Sequence, residues 1–575
     1  MPMPARTGVA HVVTTTRKYK DRVYRTHLLR RSYREGGTVK NETLGNLSHL
    51  PEALVEIIRR SLRGETFVPL TQAFEITRSL AHGHVHAVHL AMQRLGVASL
   101  LASKPCRERD LVQAMVASRI LCPATKLATT RLWHTSTLAQ EFGVVDATED
   151  DLYAAMDWLL AGQDRIQKKL AARHLQQDSL VLYDLSSSDV EGSHCPLATL
   201  GYSRDGKRGT RQVNYGLLTD GRGCPVAISV HPGNTSDSTT FLPEVKRLRE
   251  QFGIRRMVMV GDRGMISQKA IDEMSQDRDI DWVTALRSVS IRTLVEQGHL
   301  QMDLFDERNL LEISSPDFPG ERLVACRNPE LARSRVHTRA ALLAATEECL
   351  QKIQTRVQAG RLAGKDTIGV AAGKVVNRYK VAKHFELVIT DTALRFVRIQ
   401  KNIDAEAALD GLYIIRTSVK AERMDAATCV RTYKSLAQVE RAFLSMKMMD
   451  LKVRPIHHHL EGRVRAHLFV CMLAYYVEWH MREVWRALTF ADEDQAAKRT
   501  RDPVAPARRS QATMKKVASR TLDDGSPVHG FKTLMQDLHT IVRNTCRTSA
   551  GARDAPTFDL TTTPTPQQTR ALALI

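Results

Sequence analysis

Three acids in this 575-residue chain stand where they could work on a phosphate. Asp184 closes the apolar run LVLYD, Asp262 closes MVMVGD, and Glu440 lies within YKSLAQVERAFLSMK. In an α/β sheet, strand ends are where side chains leave the core for a crevice. On a helix, Tyr433, Glu440 and Lys447 are spaced by seven residues, nearly two turns, and so form one polar stripe. Val439, Phe443 and Met446 lie beside that stripe and can pack on a sheet. Such a cluster suits phosphodiester cleavage, in which two Mg²⁺ or Mn²⁺ ions about 3.5–4 Å apart activate the attacking oxygen and stabilise the leaving one. Hard divalent ions take oxygen ligands, and without them three neighbouring acids repel and raise one another's pKa. Each acid taken singly is also open to a structural reading. An Asp after a strand often caps a helix or makes a turn, as Asp262 before Arg-Gly could.

Other groups carry less. The loop Ser203–Gly209 is glycine-flexed and basic, and Arg204, Lys207 and Arg208 could grip a phosphate backbone or simply cap a solvated hairpin. His457, His458 and His459 are adjacent and lack the i, i+4 placement of helical zinc ligands, which leaves a DNA contact or a surface loop. His194-Cys195 has no Cys-His-Asn order around it, and Asp189 and Glu191 decorate the segment after Asp184.

The elements that must position these residues follow from periodicity. Residues 1–75 read as a basic β-hairpin and helix module, with alternating runs at 11–16 and 22–29 and a helix after Pro51. Residues 76–175 read as all-helical, either a DNA-binding domain or a plain bundle. From 176 to 290 the pattern becomes β-β-β-α-β-α-β, a mixed α/β layer with helices packed on a sheet. Residues 291–408 interrupt it as an insertion domain, with a long amphipathic helix, a Gly- and Lys-rich linker from 360 to 373, and two strands. Residues 409–490 resume the core with a strand at Leu412–Ile415, a helix from about Ala426 to Met448 and a more apolar helix from Val464 to Trp485. Residues 491–575 are polar, basic and Pro-punctuated, with a disordered tail expected over the last 25 residues.

The motifs LLRRSYREGGTVKNETLGNLSHLP, YDLSSSDVEG, GYSRDGKRGTRQVNYGLLTDGRGCPVAISVHPGNTSDSTTF, VGDRGMIS, DGLYIIRTS and YKSLAQVERAFLSMK together resemble bacterial insertion-sequence transposases of the three-carboxylate (DDE) kind. The likeness spans roughly residues 15 to 490 and is closest to the branch with a β-containing insertion before the last acid. It implies a ribonuclease H-like core, and it implies Asp184, Asp262 and Glu440 as catalytic metal ligands for two Mg²⁺ or Mn²⁺ ions. It also implies DNA-end contacts for Tyr433 and Lys447. The family signature places a basic residue three positions after the Tyr. Leu436 stands there instead, and Arg441 sits about 100° around a helix from Glu440.

Composition agrees with a nucleic-acid partner. Lys and Arg number 83 against 63 Asp and Glu, a net charge of +20 that favours a polyanion by counterion release. The longest apolar run, Leu468–Val477, is too short for a bilayer, the N-terminus lacks a signal-peptide core, and nine cysteines without CxxC pairs fit a reducing cytoplasm. The expectation is therefore a cytoplasmic, nucleoid-associated DNA transposase. It would cleave at terminal inverted repeats and transfer strands into target DNA, as a homodimer in the DNA complex. A metal nuclease of the same fold and a non-catalytic DNA-binding derivative are the rival readings.

Overall fold

A computed structural model of the chain describes residues 8–20, 22–67, 73–207, 209–300, 305–306, 309–505, 508–548 and 556–575. Its strands are β1 (Val9–Tyr19), β2 (Arg22–Glu35), β3 (Thr38–Asn46), β4 (Phe74–Ala81), β5 (Ser179–Asp189), β6 (Thr199–Leu200), β7 (Arg211–Asp220), β8 (Pro225–Pro232) and β9 (Met257–Val260). They continue as β10 (Ile280–Ala285), β11 (Leu310–Ile313), β12 (Arg322–Arg327), β13 (Phe385–Ile389), β14 (Leu394–Arg398), β15 (Leu412–Thr417), β16 (Val542–Thr548) and β17 (Thr557–Thr561).

Nine strands make the central sheet, in the order β11-β12-β15-β10-β9-β5-β7-β6, with β8 also paired to β7. The apolar run Leu180–Tyr183 predicts a strand buried on both faces, and β5 is that strand, antiparallel to β7 and parallel to β9. Strand β10 lies parallel to β9, reached through the helices Asp237–Glu250 and Gln268–Met274. Three antiparallel strands followed by two parallel ones, with helices between, form the mixed, ribonuclease H-like sheet the sequence predicts.

Beyond β10 the sheet grows by β15, β12 and β11, each antiparallel to its neighbour. The first two strands of the insertion thus belong to the core sheet. Its remainder has its own small core, where Leu343, Leu350 and Ile353 of helix Pro329–Gln358 meet Ile368 and Ala372 of helix Lys365–Arg378 under the β13–β14 hairpin. The stretch expected as a linker from 360 to 373 is therefore mostly helix. Ile368, Ala372 and Val376 recur at helical spacing inside the Gly- and Lys-rich composition and are buried.

The chain divides into two compact units, Leu80–Val542 with Thr562–Ile575, and Met1–Ser79 with Arg543–Thr561. In the larger unit, helices Arg107–Leu121 and Glu149–Ala161 pack against helix Glu461–Val484, and all three share one continuous core with the sheet. The region expected as a separate helical domain is thus built into the core. In the smaller unit β1, β2 and β3 form an antiparallel sheet covered by helix Glu52–Leu62 through Val55. Residues Thr14–Tyr19 and Arg22–Arg25 of the β1–β2 pair are exposed.

Two further expectations change. Strand β4 replaces the start of the helical region, because its partner β16 lies far away in sequence. In place of a disordered tail, β17 pairs with β16, and helix Pro566–Leu574 begins with a Thr565–Gln568 capping box. That helix is anchored where Trp485 Nε1 donates to the Ala571 carbonyl at 2.9 Å.

Candidate active site

Asp184 and Asp262 are brought together by strand register. Leu182 of β5 lies opposite Val260 of β9 on parallel neighbouring strands, and each chain reaches its aspartate two residues later. Adjacent strands run about 4.8 Å apart. Strand β9 stops at Val260, whereas β5 continues on β7 to Asp189, so Asp184 sits mid-strand and not at the strand end the sequence suggests. The free edge that exposes it comes from the early end of β9. The Asp262 carbonyl accepts from Met265 and Ile266 N–H at 2.9 and 3.1 Å, a tight turn just past the end of β9.

Glu440 rides on the short helix Ala437–Leu444, whose Val439, Ala442 and Phe443 are buried and whose Phe443 ring meets Tyr215 of β7 edge-on at 5.7 Å. The turn between β7 and β8 approaches this helix closely: a Cβ on Gly223, where φ is +85°, would come within 2.6 Å of the Gln438 Cβ. Glycine is required there twice over, for conformation and for space.

The three acids share one electrostatic field. Burial pushes the Asp184 carboxyl up to about 7, a hydrogen bond from the Leu185 N–H at 2.8 Å opposes this, and the charges of Asp262 and Glu440 add to the rise. Glu440 itself is exposed. Tyr433 donates its hydroxyl to Asp262 Oδ1 at 3.0 Å, and burial followed by the Asp262 charge holds its phenol well above the ordinary range. Asp262, Arg263 and Tyr433 also line a cleft of about 280 Å³ with Arg335 from the insertion.

The helix expected to run from Ala426 to Met448 is broken. It comprises Ala426–Lys434, a turn at 435–436, Ala437–Leu444 and a π-turn at Ser445–Met449. Tyr433 and Lys447 therefore do not share a straight stripe with Glu440. Leu436 occupies the turn, 9% exposed, and packs in the core. A cation there would be desolvated, which gives the missing basic residue a structural reason.

The basic residues are already engaged. Lys447 is buried and bonded to Asp205 at 3.2 and 3.4 Å; burial lowers its pKa and Asp205 opposes that. Asp205 also takes Arg454. Arg204 pairs with Asp237 and reaches Asn214 Oδ1 at 3.3 Å, and its charge acts on Asp184. Lys207 binds Asp189 at 2.8 Å, and Arg208 lies outside the described residues. The sequence reading missed Asp205, Asp237 and Arg454. Asp205 was legible as the one acid inside a basic loop, whereas Asp237 and Arg454 join it only through tertiary packing. His457 and His459 are exposed in a loop, as the surface-loop reading has it, whereas His458 is only partly exposed, its ring meeting Tyr153 edge-on and His467 at a tilt.

The donor set at the three acids is all carboxylate oxygen, with the partly buried Asp184 destabilised in its charged form, and it fits a hard divalent cation. Their oxygens do not all lie within 4.8 Å of one another; among the described residues the group of metal-binding side chains that meets that distance is His174, Cys224 and His480.

With this geometry in hand, the comparisons are direct. A family model described as a transposase DDE domain matches residues 176–477, and one described as an IS1634 family transposase N-terminal domain matches residues 12–68. No curated protein gives a significant match. Among solved structures, the chain is similar to the piggyBac transposase in a synaptic complex with hairpin DNA, at 9% identity over 79% of each chain with a TM-score of 0.34, a likeness that adds nothing to the assignment. The first match covers more than half of the chain and contains all three acids, and the protein belongs to the DDE transposases of insertion sequences.

Proposed function

We propose that the chain cuts DNA at the ends of its own insertion sequence and joins the freed 3′ ends to target DNA, with Asp184, Asp262 and Glu440 as the catalytic acids. The observation that carries this reading is the strand register that sets Asp184 and Asp262 two residues beyond the paired Leu182 and Val260, with the charges of Asp262 and Glu440 both acting on a partly buried Asp184. Two Mg²⁺ or Mn²⁺ ions held by these acids would supply activation of the attacking oxygen and stabilisation of the leaving one. The chain's own residues do the rest. Tyr433 fixes the rotamer of Asp262 through its hydroxyl. Burial and the neighbouring acids raise the Asp184 carboxyl to about 7, so it holds a proton more readily than an ordinary carboxylate, and a bound cation would favour its ionised form.

Lys447, Arg454 and Arg204 supply positive charge beside the acids, where a DNA phosphate would compete with Asp205 and Asp237 for them. In the smaller unit, the exposed β1–β2 arm carries Arg17, Lys18, Lys20, Arg22 and Arg25, and a two-stranded ribbon fits the major groove. Inverted repeats and target DNA are thus the proposed partners, engaged by a homodimer in the bacterial cytoplasm at the nucleoid. Among the described residues no helix is long and apolar enough to cross a membrane.

The test uses a labelled duplex bearing the element end and its flank, incubated with Mg²⁺ or Mn²⁺ beside Asp184→Ala and Glu440→Ala proteins. Metal-dependent nicking at the boundary, lost in both variants while binding persists, is the expected result. Binding without cleavage, the same in all three proteins, would overturn the proposal and leave a DNA-binding derivative.

A further inference from the structure

The cluster of His174, Cys224 and His480 lies outside the acid site and has no part in the chemistry above. Its residues come from three elements: the last residue of helix Gln163–His174, the turn leading into β8, and helix Glu461–Val484. Cys224 Sγ lies 4.0 Å from His174 Nε2 and 3.8 Å from His480 Nε2, and the three ligand atoms all fall within 4.8 Å of one another. A tetrahedral zinc with Zn–S near 2.3 Å and Zn–N near 2.0–2.1 Å sets its sulfur and nitrogen ligands about 3.6 Å apart. The two sulfur–nitrogen distances, 4.0 and 3.8 Å, are within a few tenths of an ångström of that. Both imidazoles turn Nε2 toward the sulfur, so a single metal ion can take a lone pair from each of the three.

We propose that His174, Cys224 and His480 bind a zinc ion that clamps the β7–β8 turn to the helices behind it. A thiolate with two imidazoles selects a borderline-soft ion of the zinc class, unlike the all-oxygen set at the acids. On binding, the Cys224 thiol gives its proton to solvent and the sulfur takes the metal, while both imidazoles enter neutral through Nε2. The fourth position falls to water. His174 and His480 are partly exposed, and the Tyr476 hydroxyl, 3.1 Å from His174 Nε2, can hold that water. Asp220 is not available as the fourth ligand: its Oδ1 takes the Arg222 and Cys224 N–H groups at 2.9 and 3.0 Å, and its Oδ2 takes the Arg222 guanidinium at 2.8 and 2.9 Å. Those bonds instead hold the Cys224 backbone in place. The consequence reaches the acid site, because Gly223 abuts Gln438, two residues before Glu440.

The test is metal analysis of the full chain, purified by a tag without histidine from zinc-supplemented cells, together with Cys224→Ser, His480→Ala and a control, Cys471→Ser. About one zinc per chain in the wild type and the control, lost in the other two, is expected. Cobalt titrated into the metal-free wild type is expected to give a thiolate-to-cobalt charge-transfer band. The carboxylate site cannot produce that band, so this readout stands even where a variant fails to fold. A wild type that holds no zinc and shows no such band, or zinc retained in Cys224→Ser, would overturn the proposal.

Discussion

Replacing Asp184 by Asn is expected to make the chain more stable and inactive at once. The Asp184 carboxyl moves from 3.8 to about 7 on folding, chiefly because it is buried and secondarily because Asp262 and Glu440 repel its charge. Roughly three units at about 1.36 kcal/mol each make about 4 kcal/mol of unfavourable free energy in the ionised native state. The sign follows from which state binds the proton more tightly. The folded value is the higher one, so stability is intact below the unfolded value, is lost as pH climbs through about 7, and levels off above it. Asn carries no charge and avoids the loss. Because Asp184 is only partly buried, water trims the figure, and a growth of about 2 kcal/mol in the variant's advantage between pH 5 and pH 8.5 is the expected scale. In thermal unfolding with a chelator present, that is a shift of roughly 2–4 °C between the two pH values. A variant whose offset from wild type is the same at both, or which melts lower at pH 8.5, refutes the placement of Asp184 in a shared acidic field.

Three other perturbations probe the frame around the acids. Tyr433→Phe removes the donor 3.0 Å from Asp262 and is expected to slow end cleavage about tenfold with little change in melting, as loss of one charge-assisted hydrogen bond would. Gly223→Ala forces a Cβ into Gln438 at a positive φ and is expected to cost about 2 kcal/mol or more in urea unfolding, with cleavage falling further than DNA binding. Glu321→Gln leaves Arg416 buried without its anionic partner, since the two side chains are 6% and 9% exposed, and is expected to cost about 3–5 kcal/mol. Adding Arg416→Met to Glu321→Leu is expected to recover most of that stability, read from the same urea curves.

What could be read in advance was whatever local pattern decides. The run Leu180–Tyr183 announced β5, and MVMV announced β9, because a strand buried on both faces must be apolar throughout. Asp184 and Asp262 followed from those strands, and Glu440 from the helix motif around it. What stayed hidden depended on distant partners. Strand β4 looks helical in its surroundings until β16 pairs with it, and β11 and β12 look like insertion until β15 receives them. The break at Leu436 was legible only as a departure from the family signature, and its cause is a packing environment no single sequence displays. Likewise, the pairing of Asp205 with Lys447 and Arg454 joins residues 242 and 249 positions apart in the chain.

The pairing of β4 with β16 has a consequence for how the chain is made. The Thr77 hydroxyl bonds the Thr545 carbonyl across 468 residues of sequence. At about 5–20 residues per second of synthesis, β4 waits on the order of 25–90 s for its partner strand to emerge. Throughout that wait it is a strand with no partner, and its unpaired N–H and C=O groups can recruit strands from other chains. The Arg78 and Glu75 charges within β4 are suited to discourage such capture. The smaller unit, which joins residues 1–79 to 543–561, therefore stays open until its second segment is made, and a nascent or truncated polypeptide lacking residues beyond 541 leaves β4 without its partner, however complete its acids.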